Sequence, residues 1–452
     1  MMRLTEAARA LDAELLGADA EFTSVSTDTR TIKPGALFIA LRGERFDGHE
    51  FVAQALATGA AAAMVDEKFE GQGNLLRVAD TRLGLGRLAA HWRGKFDIPL
   101  VAVTGSNGKT TVKEMIAAIL RAECGEDAQV LATEGNLNND IGVPQMLLRL
   151  NAAHRYAVIE MGMNHFGEID YLTHMASPDV ALVNNAQAAH LAGLGSVEGV
   201  ARAKGEIYGG LKPNGTAIIN ADDVFAPLWR DLAAGKNILE FGLDHPAAVT
   251  GGYRLLDGGV ELEIVVPQGK VQARLNASGV HNVRNALAAS AAASALNIPC
   301  EIIGQGLGRF APVKGRLQRK PALHGATLID DTYNANPSSM RAAIDVLAAA
   351  PGKKVLVLGD MGELGGDAWQ LHGEIGAYAK ERGIDVLYCL GDNARNMAAQ
   401  FGQNAWHFER IQELLADLEN LLAPGVTVLV KGSRFMEMER VVKSFEDKKQ
   451  CC

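Results

Sequence analysis

The sequence is poor in the residues that cross-link small secreted domains or anchor a chain in a membrane. Its five cysteines are scattered over 452 residues without metal-ligand spacing or the density of a disulfide framework, so we expect reduced thiols. No uninterrupted apolar run is long enough to span a bilayer, so membrane insertion is not expected. The first 22 residues lack an apolar core with a cleavage site, which predicts no signal peptide.

Basic residues are also scarce relative to acidic ones. Lysine and arginine total 44 against 53 aspartates and glutamates, a formal net charge of −9. A general nucleic-acid binder usually carries a basic face, so we expect no nucleic-acid partner. The 48% hydrophobic residues are enough to fill several cores, and the length favours about three domains. These numbers suit a large soluble enzyme.

The most informative segment is VAVTGSNGKTT, residues 101–111. An apolar strand leads into a glycine-rich turn and then into a helix whose apolar residues repeat at helical spacing. Gly105 and Gly108 would let backbone N–H groups approach nucleotide phosphates at the positive end of that helix. Lys109 would reach the β- and γ-phosphates, and the Thr110 hydroxyl would bind Mg²⁺. The usual eight-residue phosphate-loop pattern has a glycine where this chain has Val103. The alternative to a phosphate loop is a chance match in a glycine-rich chain.

The alternation of strands and helices predicts an α/β fold of three domains. We expect a small mixed α/β domain over residues 1–80. A central domain over 81–312 would hold a doubly wound parallel sheet with helices on both faces, and a β-rich insert near residues 253–275. Residues 313–452 would form a second, Rossmann-like α/β domain.

Three further residues of the predicted central domain are candidates for chemistry. Glu160 ends the strand YAVIE, at the carboxyl edge where open α/β sheets place ligands, and a carboxylate there suits Mg²⁺. His190 follows the next strand, VALVNN, where a metal-proximal role and a structural role both stay open. Lys204 lies in the helical pattern ARAKGEIY, and a solvated lysine is its default interpretation.

Polar clusters follow at three other places. GNLNNDIGVP, residues 135–144, is either turn chemistry or a loop whose amides bind phosphate or sugar. In GVHNVRNALAAS, Asn282 is either a helix N-cap or, with Asn285, a reader of an adenine edge. In LIDDTYNANPSSM, Asp331 would hold a ribose hydroxyl, or the segment is a turn that caps the next helix.

Taken together and in order, these motifs resemble the Mur ligase family of bacterial cell-wall synthesis. The resemblance runs from Ser26 to Arg434 and rests on TGSNGKTT, NLNNDIGVP, EMGMNHFGEI, NNAQAAHL…AKGEI, GVHNVRNALAA, DDTYNANPSSM, VLGDMGELG and VKGSR. The family's shorter G-x-x-G-K-[ST] loop accounts for the valine. The resemblance implies that the three domains bind a uridine nucleotide, bind ATP and bring the incoming amine.

The resemblance also implies a reaction. The terminal carboxylate of UDP-N-acetylmuramoyl-tripeptide would attack the γ-phosphoryl group of ATP, giving an acyl phosphate and ADP, and the amine of D-alanyl-D-alanine would then displace phosphate. We expect two Mg²⁺ ions, a monomer and a place in the peptidoglycan synthesis of the bacterial cytoplasm.

Specific residues match the family's functional positions. Lys204 matches a lysine that CO₂ carbamylates to a metal-binding group, an N-carboxylysine, which would overturn its solvated interpretation. Catalysis is implied for Lys109, His190 and Lys204, and metal binding for Thr110, Glu160, His190 and Lys204. Nucleotide binding is implied for Gly105, Ser106, Asn107, Gly108, Lys109, Thr110, Thr111, His281, Asn282, Arg316 and Asp331. Substrate binding is expected of Ser26, Thr27, Asp28, Arg30, Arg45, Asp47, His49, Asn138, Asn139, Asn334, Lys431, Ser433 and Arg434.

Other functions remain as alternatives. Within the family these are the ligase that adds the third residue, for which a D-N-P-R-type motif is missing, and folylpolyglutamate synthase. Outside it, a P-loop ATPase or GTPase switch would bind partners without making an amide bond, but no guanine-reading N-K-x-D segment is present. A nucleotide-sugar binding protein without catalysis is the third class, and the full set of Lys109, Thr110, Glu160 and His190 argues against it.

Overall fold

A computed structural model describes residues 1–44, 46–189, 191–256 and 258–447. Within those ranges no helix combines the length and the apolar character needed to cross a membrane. The chain forms α/β regions in the predicted order.

The N-terminal region is built on a sheet in the order β2-β7-β6-β5-β4, with β1 and β3 paired beside it. The apolar segment ALFIAL contains β5, whose four residues are all buried because both faces of the strand are covered. The elements are β1 (Met2–Arg3), α1 (Leu4–Leu11), β2 (Glu14–Leu16), β3 (Glu21–Phe22), β4 (Ser24–Ser26), β5 (Ala36–Ile39), α2 (Val52–Ala57), β6 (Ala62–Asp66), β7 (Leu75–Val78) and α3 (Thr81–Arg93).

The central region contains a parallel sheet in the order β13-β12-β11-β8-β10-β9, as predicted. The β-rich insert is also confirmed, as the antiparallel sheet β14-β15-β16. The elements are β8 (Leu100–Thr104), α4 (Lys109–Cys124), β9 (Val130–Ala132), α5 (Gly142–Leu147), β10 (Tyr156–Glu160), α6 (Glu168–Ala176), β11 (Val180–Val183), α7 (Leu191–Leu194), α8 (Val197–Gly205), β12 (Thr216–Asn220), α9 (Ala226–Leu232), β13 (Asn237–Phe241), β14 (Thr250–Leu256), β15 (Gly259–Val266), β16 (Gly269–Leu275), α10 (Val280–Ala295) and α11 (Cys300–Arg309).

Alternate residues of β8 enter two different cores. Leu100 and Ala102 join the core that also contains Leu85 and Leu88 of α3, whereas Val101 and Val103 join the core formed with α4, α10 and α11. A parallel strand covered on both faces needs apolar residues at every position, which is why β8 reads as a continuous apolar run. The helix α3 thus packs on the central sheet, and the boundary at residue 80 stays a prediction.

The C-terminal region has a second sheet in the order β17-β18-β22-β19-β20-β21, parallel except for β17. The Rossmann-like pattern is confirmed, and a short 3₁₀ turn at Arg434–Met436 follows the last strand of this sheet. The elements are β17 (Gln318–Pro321), β18 (Thr327–Asp331), α12 (Pro337–Ala348), β19 (Lys353–Gly359), α13 (Ala368–Glu381), β20 (Val386–Leu390), α14 (Ala394–Phe401), β21 (Ala405–Phe408), α15 (Ile411–Glu419), β22 (Val426–Lys431) and α16 (Glu439–Phe445).

The register of both sheets brings polar residues to their carboxyl edges. In the central sheet Glu160 lies opposite Val103, at the end of the strand that leads into the phosphate loop. In the C-terminal sheet Asp331 lies opposite Lys431. Each region therefore presents a polar edge where ligands of open α/β sheets bind.

Candidate active site

The glycine-rich turn joins β8 to α4, as the sequence predicts. Gly108 has φ 77°, a left-handed conformation that glycine adopts without strain. A β-carbon at Gly108 would also lie 2.5 Å from Asn285 Oδ1 and 2.6 Å from Asn184 Nδ2. Both the backbone conformation and the lack of space therefore require glycine here.

Asparagine side chains fix the loop from behind. Asn184 Nδ2 donates to the carbonyl of Asn107 (2.9 Å) and to Asn285 Oδ1 (3.0 Å), while Asn185 Oδ1 accepts from the Asn107 N–H (2.9 Å). Asn285 Nδ2 in turn donates to Asn282 Oδ1 at 3.2 Å. The buried amides of Asn282 and Asn285 thus support the loop, and their contact with adenine stays a prediction.

Lys109 begins α4 and folds back over the loop. Its Nζ donates to the carbonyl of Gly105 at 2.6 Å. Burial lowers the pKa of Lys109, the nearby Glu160 carboxylate opposes that shift, and Arg316 adds to it. The ammonium therefore lies between the loop and the acidic edge of the sheet.

Glu160 presents an unpaired carboxylate oxygen. Its Oε1 accepts from Asn138 Nδ2 at 2.8 Å, but the buried Oε2 has no hydrogen-bond partner among the residues that the structure describes. Burying a carboxylate oxygen without a partner is costly, so this arrangement fits a cation. Hard oxygen ligands of this kind suit Mg²⁺. The other predicted oxygen ligand, the Thr110 hydroxyl, lies in the first turn of α4, directly after the phosphate loop.

The structure gives less support for the other predicted magnesium ligands. His190 lies outside the described residues. In the described part of the chain, no three histidine, cysteine, aspartate or glutamate side chains cluster as a metal site. A magnesium ion held here would therefore depend on a hydroxyl, on Glu160 and on groups from outside that list, such as phosphate oxygens or a modified lysine.

Lys204 is buried, so its interpretation as a solvated lysine is wrong. The side chain is 1% exposed, because α8 packs its last turn into the central core. Desolvation lowers the pKa of Lys204 well below its ordinary range, and the positive charge of Lys109 adds to the effect. No described residue forms a hydrogen bond or ion pair with its Nζ. The helical pattern missed this burial because tertiary packing, not local sequence, covers the residue.

The C-terminal region reaches the phosphate loop directly. Arg316 Nη2 donates to Thr110 Oγ1 at 2.7 Å, and its guanidinium lies 4.2 Å from the centre of the Tyr333 ring. Asn336 caps α12 and its Nδ2 donates to Asn107 Oδ1 at 2.9 Å. These contacts join residues that are more than 200 positions apart in the chain.

Asp331 and the predicted substrate residues of the last domain form contacts within the C-terminal region. Lys431 Nζ lies 2.6 Å from Asp331 Oδ2 and donates to the Asn334 carbonyl at 2.8 Å. Burial raises the pKa of Asp331, and Lys431 opposes that shift. Ser433 Oγ donates to the Ala335 carbonyl at 3.2 Å, and Arg434 pairs with Glu439 at 2.9 Å. Contacts of these residues with substrate stay a prediction.

Near this edge, His281 begins the helix α10 and is partly buried. Desolvation, with Lys431 next in importance, lowers the pKa of His281 to about 4. The imidazole is therefore neutral at pH 7. Its predicted role beside the nucleotide is untested.

The predicted uridine-binding residues form local pairs in the N-terminal region. Arg30 binds the Asp28 carboxylate through two nitrogens, which lowers the pKa of Asp28 to about 2, and Ser26 Oγ donates to the Asp28 carbonyl. Thr27 Oγ1 accepts from Gln145 Nε2 of the central region at 3.0 Å. These contacts gather the STDTR segment beside the central region.

The remaining predicted residues divide between local contacts and the undescribed part. Asp47 accepts from His49 Nδ1 at 2.6 Å, and Asn139 Oδ1 accepts from the Gly142 N–H at 2.8 Å. Both are turn contacts, which was one of the alternatives for the asparagine loop. Arg45 lies outside the described residues.

Known proteins match this architecture along nearly its whole length. The chain is 44% identical to the UDP-N-acetylmuramoyl-tripeptide–D-alanyl-D-alanine ligase of Escherichia coli (strain K12) over 448 residues, covering 98% of this chain and 97% of that protein. The chain belongs to the Mur ligase family. Family models match it in three places: the Mur ligase family catalytic domain at residues 21–93, the Mur ligase middle domain at 103–293 and the Mur ligase glutamate ligase domain at 315–434.

Solved structures of Mur ligases share the fold. A crystal structure of MurF from Acinetobacter baumannii has a TM-score of 0.91 and 40% identity, covering 97% of each chain. MurF from Thermotoga maritima, solved in complex with ADP, has a TM-score of 0.83 and 28% identity, covering 93% of this chain and 96% of that one. The Mur ligase fold of three α/β regions is thereby established for this protein.

Sequence reasoning missed residues that brace the site without facing a ligand. Asn184, Asn185 and Asn336 were quoted within motifs but not singled out, and Thr133 and Lys113 were not noticed. A run of asparagines directly after the buried strand β11 is a usable indication, since amides there meet the loop that follows the neighbouring strand. Nothing local in the sequence marks Thr133.

Proposed function

We propose that the protein is an ATP-dependent ligase that joins D-alanyl-D-alanine to the terminal carboxylate of UDP-N-acetylmuramoyl-tripeptide, giving the pentapeptide precursor of peptidoglycan. The observation that carries the proposal is the 44% identity, over nearly the whole chain, to a ligase named for that reaction. A third-residue ligase or folylpolyglutamate synthase is not favoured by this match.

The phosphate loop is the proposed site of ATP. Backbone N–H groups between Gly105 and Thr111 and the ammonium of Lys109 provide the charge that phosphoryl transfer requires. The ADP complex of the Thermotoga maritima protein supports nucleotide binding by this architecture. Arg316 and Asp331 are the proposed nucleotide contacts of the C-terminal region, with His281 and Asn282 on the adenine side.

Thr110, Glu160, His190 and Lys204 are the proposed magnesium ligands. Bound Mg²⁺ would neutralise the phosphate oxygens that otherwise repel the attacking carboxylate. Glu160 fits because its Oε2 has no hydrogen-bond partner within the described part of the chain. Lys204 fits as the site of an N-carboxylysine, because burial lowers the pKa of this lysine and so raises the share of neutral amine, the form that attacks CO₂.

The three regions would divide the substrates between them. We propose boundaries at 1–80, 81–312 and 313–452. The STDTR segment and the turn at Asp47 and His49 would bind the uridine nucleotide, and Asn138, Asn139, Asn334, Lys431, Ser433 and Arg434 would line the path of the peptide and the dipeptide. Contacts between the C-terminal region and the loop exclude water, which protects an acyl phosphate from hydrolysis.

Phosphate release tests this function. The protein is mixed with ATP, Mg²⁺ and UDP-N-acetylmuramoyl-tripeptide, with and without D-alanyl-D-alanine, and the product mass is recorded. We expect sustained release only with the dipeptide, together with the mass of the pentapeptide. Release that ignores the dipeptide, or an unchanged tripeptide, would contradict the proposal.

A further inference from the structure

A buried lysine lies one helical turn beyond the phosphate-loop lysine. Lys113 of α4 is 1% exposed. Its Nζ donates to the carbonyl of Thr133 at 2.7 Å and also contacts the Glu114 carboxylate. A buried ammonium must be paired to offset its desolvation, so these contacts hold both partners firmly. Lys113 therefore fixes the segment that follows β9 to the helix that follows the phosphate loop.

Thr133 passes this constraint to the next strand. The residue is 1% exposed, and its N–H donates to the Val158 carbonyl of β10 at 3.0 Å. Its Oγ1 accepts the N–H of Glu160 at 2.9 Å. The hydroxyl thereby satisfies a buried backbone donor just where β10 ends, which fixes the backbone from which the Glu160 side chain projects.

The side chain of Glu160 is then held at its far end. Asn138 Nδ2 binds Oε1, and Oε2 remains buried with no hydrogen bond to any described residue. With its backbone and one oxygen fixed, the other oxygen has little freedom to rotate toward solvent or toward a protein donor.

We propose that Lys113 and Thr133 are positioning residues for Glu160, which hold its free carboxylate oxygen at the place where a divalent cation binds. The inference rests on the proposed metal role of Glu160 and adds the residues that enforce it. Neither side chain touches the cation. Residues that orient a metal ligand typically change metal affinity about 10–100-fold when they are removed.

The test measures Mn²⁺ binding to the protein without nucleotide, by the loss of the free-ion electron paramagnetic resonance signal. Thr133→Val keeps the size of the side chain and removes the hydroxyl, and Thr133→Ser restores it. Thr173→Val is the matched control, since Thr173 is equally buried and its hydroxyl binds the Ile207 carbonyl at 2.8 Å, in another part of the region. We expect about tenfold weaker Mn²⁺ binding in Thr133→Val, and unchanged binding in the serine variant and the control.

A second pair tests the lysine. Lys113→Met keeps most of the apolar stem, and Lys236→Met removes a comparable contact, from Lys236 Nζ to the Leu211 carbonyl at 2.8 Å. We expect weaker Mn²⁺ binding and a raised Mg²⁺ requirement for turnover in Lys113→Met alone. Thermal unfolding shows whether each variant is folded before its affinity is compared.

Glu160→Gln distinguishes a failure of the metal role of Glu160 from a failure of the positioning role of Lys113 and Thr133. If this variant binds Mn²⁺ as tightly as the parent protein, the metal role of Glu160 is wrong and the positioning role falls with it. If Glu160→Gln weakens binding while folded Thr133→Val and Lys113→Met do not, only the positioning role is overturned. Equal losses in Thr133→Val and Thr173→Val would also overturn it, since they would show a general effect of losing a buried hydroxyl.

Discussion

The two parallel sheets end in polar edges of opposite character. At the central edge, neither the buried Glu160 Oε2 nor the buried Lys204 Nζ has a hydrogen-bond partner among the described residues. At the C-terminal edge, Asp331 and Lys431 are also buried but lie 2.6 Å apart. Because unpaired buried polar groups are costly, a bound ligand would stabilise the central edge, whereas the side chains of the C-terminal edge already pair with each other.

The contrast shows that topology places polar groups but does not decide their role. Both edges follow the rule that ligands bind beyond the carboxyl ends of parallel strands. What distinguishes them is whether the neighbouring side chains satisfy one another. Function is thus read from the pairing of side chains, not from the sheet.

The largest expected effect comes from removing the loop cation at the central edge. Lys109→Ala should lower kcat about 10³-fold, because charge on the transferred phosphoryl group loses its fixed partner, while the fold is kept. Steady-state kinetics and circular dichroism check this. A variant with near-normal turnover would remove the phosphate loop from the mechanism.

Exchanging one lysine at each edge for methionine should affect the free energy of unfolding differently. Lys431→Met leaves the buried Asp331 without its partner and should cost about 3–5 kcal/mol of the free energy of unfolding. Lys204→Met removes a buried amine that has no described partner, so unfolding should be unchanged or harder, while turnover is lost. Denaturant titration without Mg²⁺ compares the two, and equal destabilisation would erase the proposed difference between the edges.

The contact between the regions should have a smaller effect. Asn336→Ser keeps a good N-cap for α12 but removes both hydrogen bonds between the two amides, from Asn336 Nδ2 to Asn107 Oδ1 and from Asn107 Nδ2 to Asn336 Oδ1. We expect KM for ATP to rise about fivefold, which corresponds to about 1 kcal/mol for this amide pair, with little change in stability. An unchanged KM would mean that the loop does not depend on this contact.

A further expected effect concerns pH. His281 faces Lys431, Arg284 and Asp345, and its pKa is lowered to about 4 from 6.5. Between those values the unfolded chain binds a proton that the folded protein does not, so stability falls as pH drops from 6.5 to about 4. Unfolding temperatures from pH 7 to 4.5 should fall less in His281→Gln than in the parent protein. Parallel curves would contradict the shifted pKa.

The sequence predicted the elements whose residues interact locally. The strand-turn-helix of the phosphate loop, the strands β10 and β11, and the β-rich insert all have patterns that one segment displays by itself. Short strands such as β17 and β21 escaped, because three or four residues carry too little periodicity to be recognised. The pattern of the residues itself indicated Lys109, Thr110 and Glu160, whereas the metal-binding role of Lys204 came only from the resemblance to the family.

Other parts of the site were beyond sequence reasoning. Lys204 has the neighbours of a surface lysine, and only the packing of α8 shows that it is buried. Thr133 and Glu160 are separated by a helix and a loop, so their hydrogen bond appears only when β9 and β10 lie side by side. Contacts that join distant segments leave no local pattern in a single sequence.

The reach of Arg316 and Asn336 back to residues 107 and 110 has a consequence for biosynthesis. During translation the glycine-rich turn is made long before the Arg316 guanidinium and the Asn336 amide that bind it. A nascent chain shorter than about 316 residues therefore has the phosphate loop without its contacts to the C-terminal region. The site is complete only when the last third of the chain has been translated.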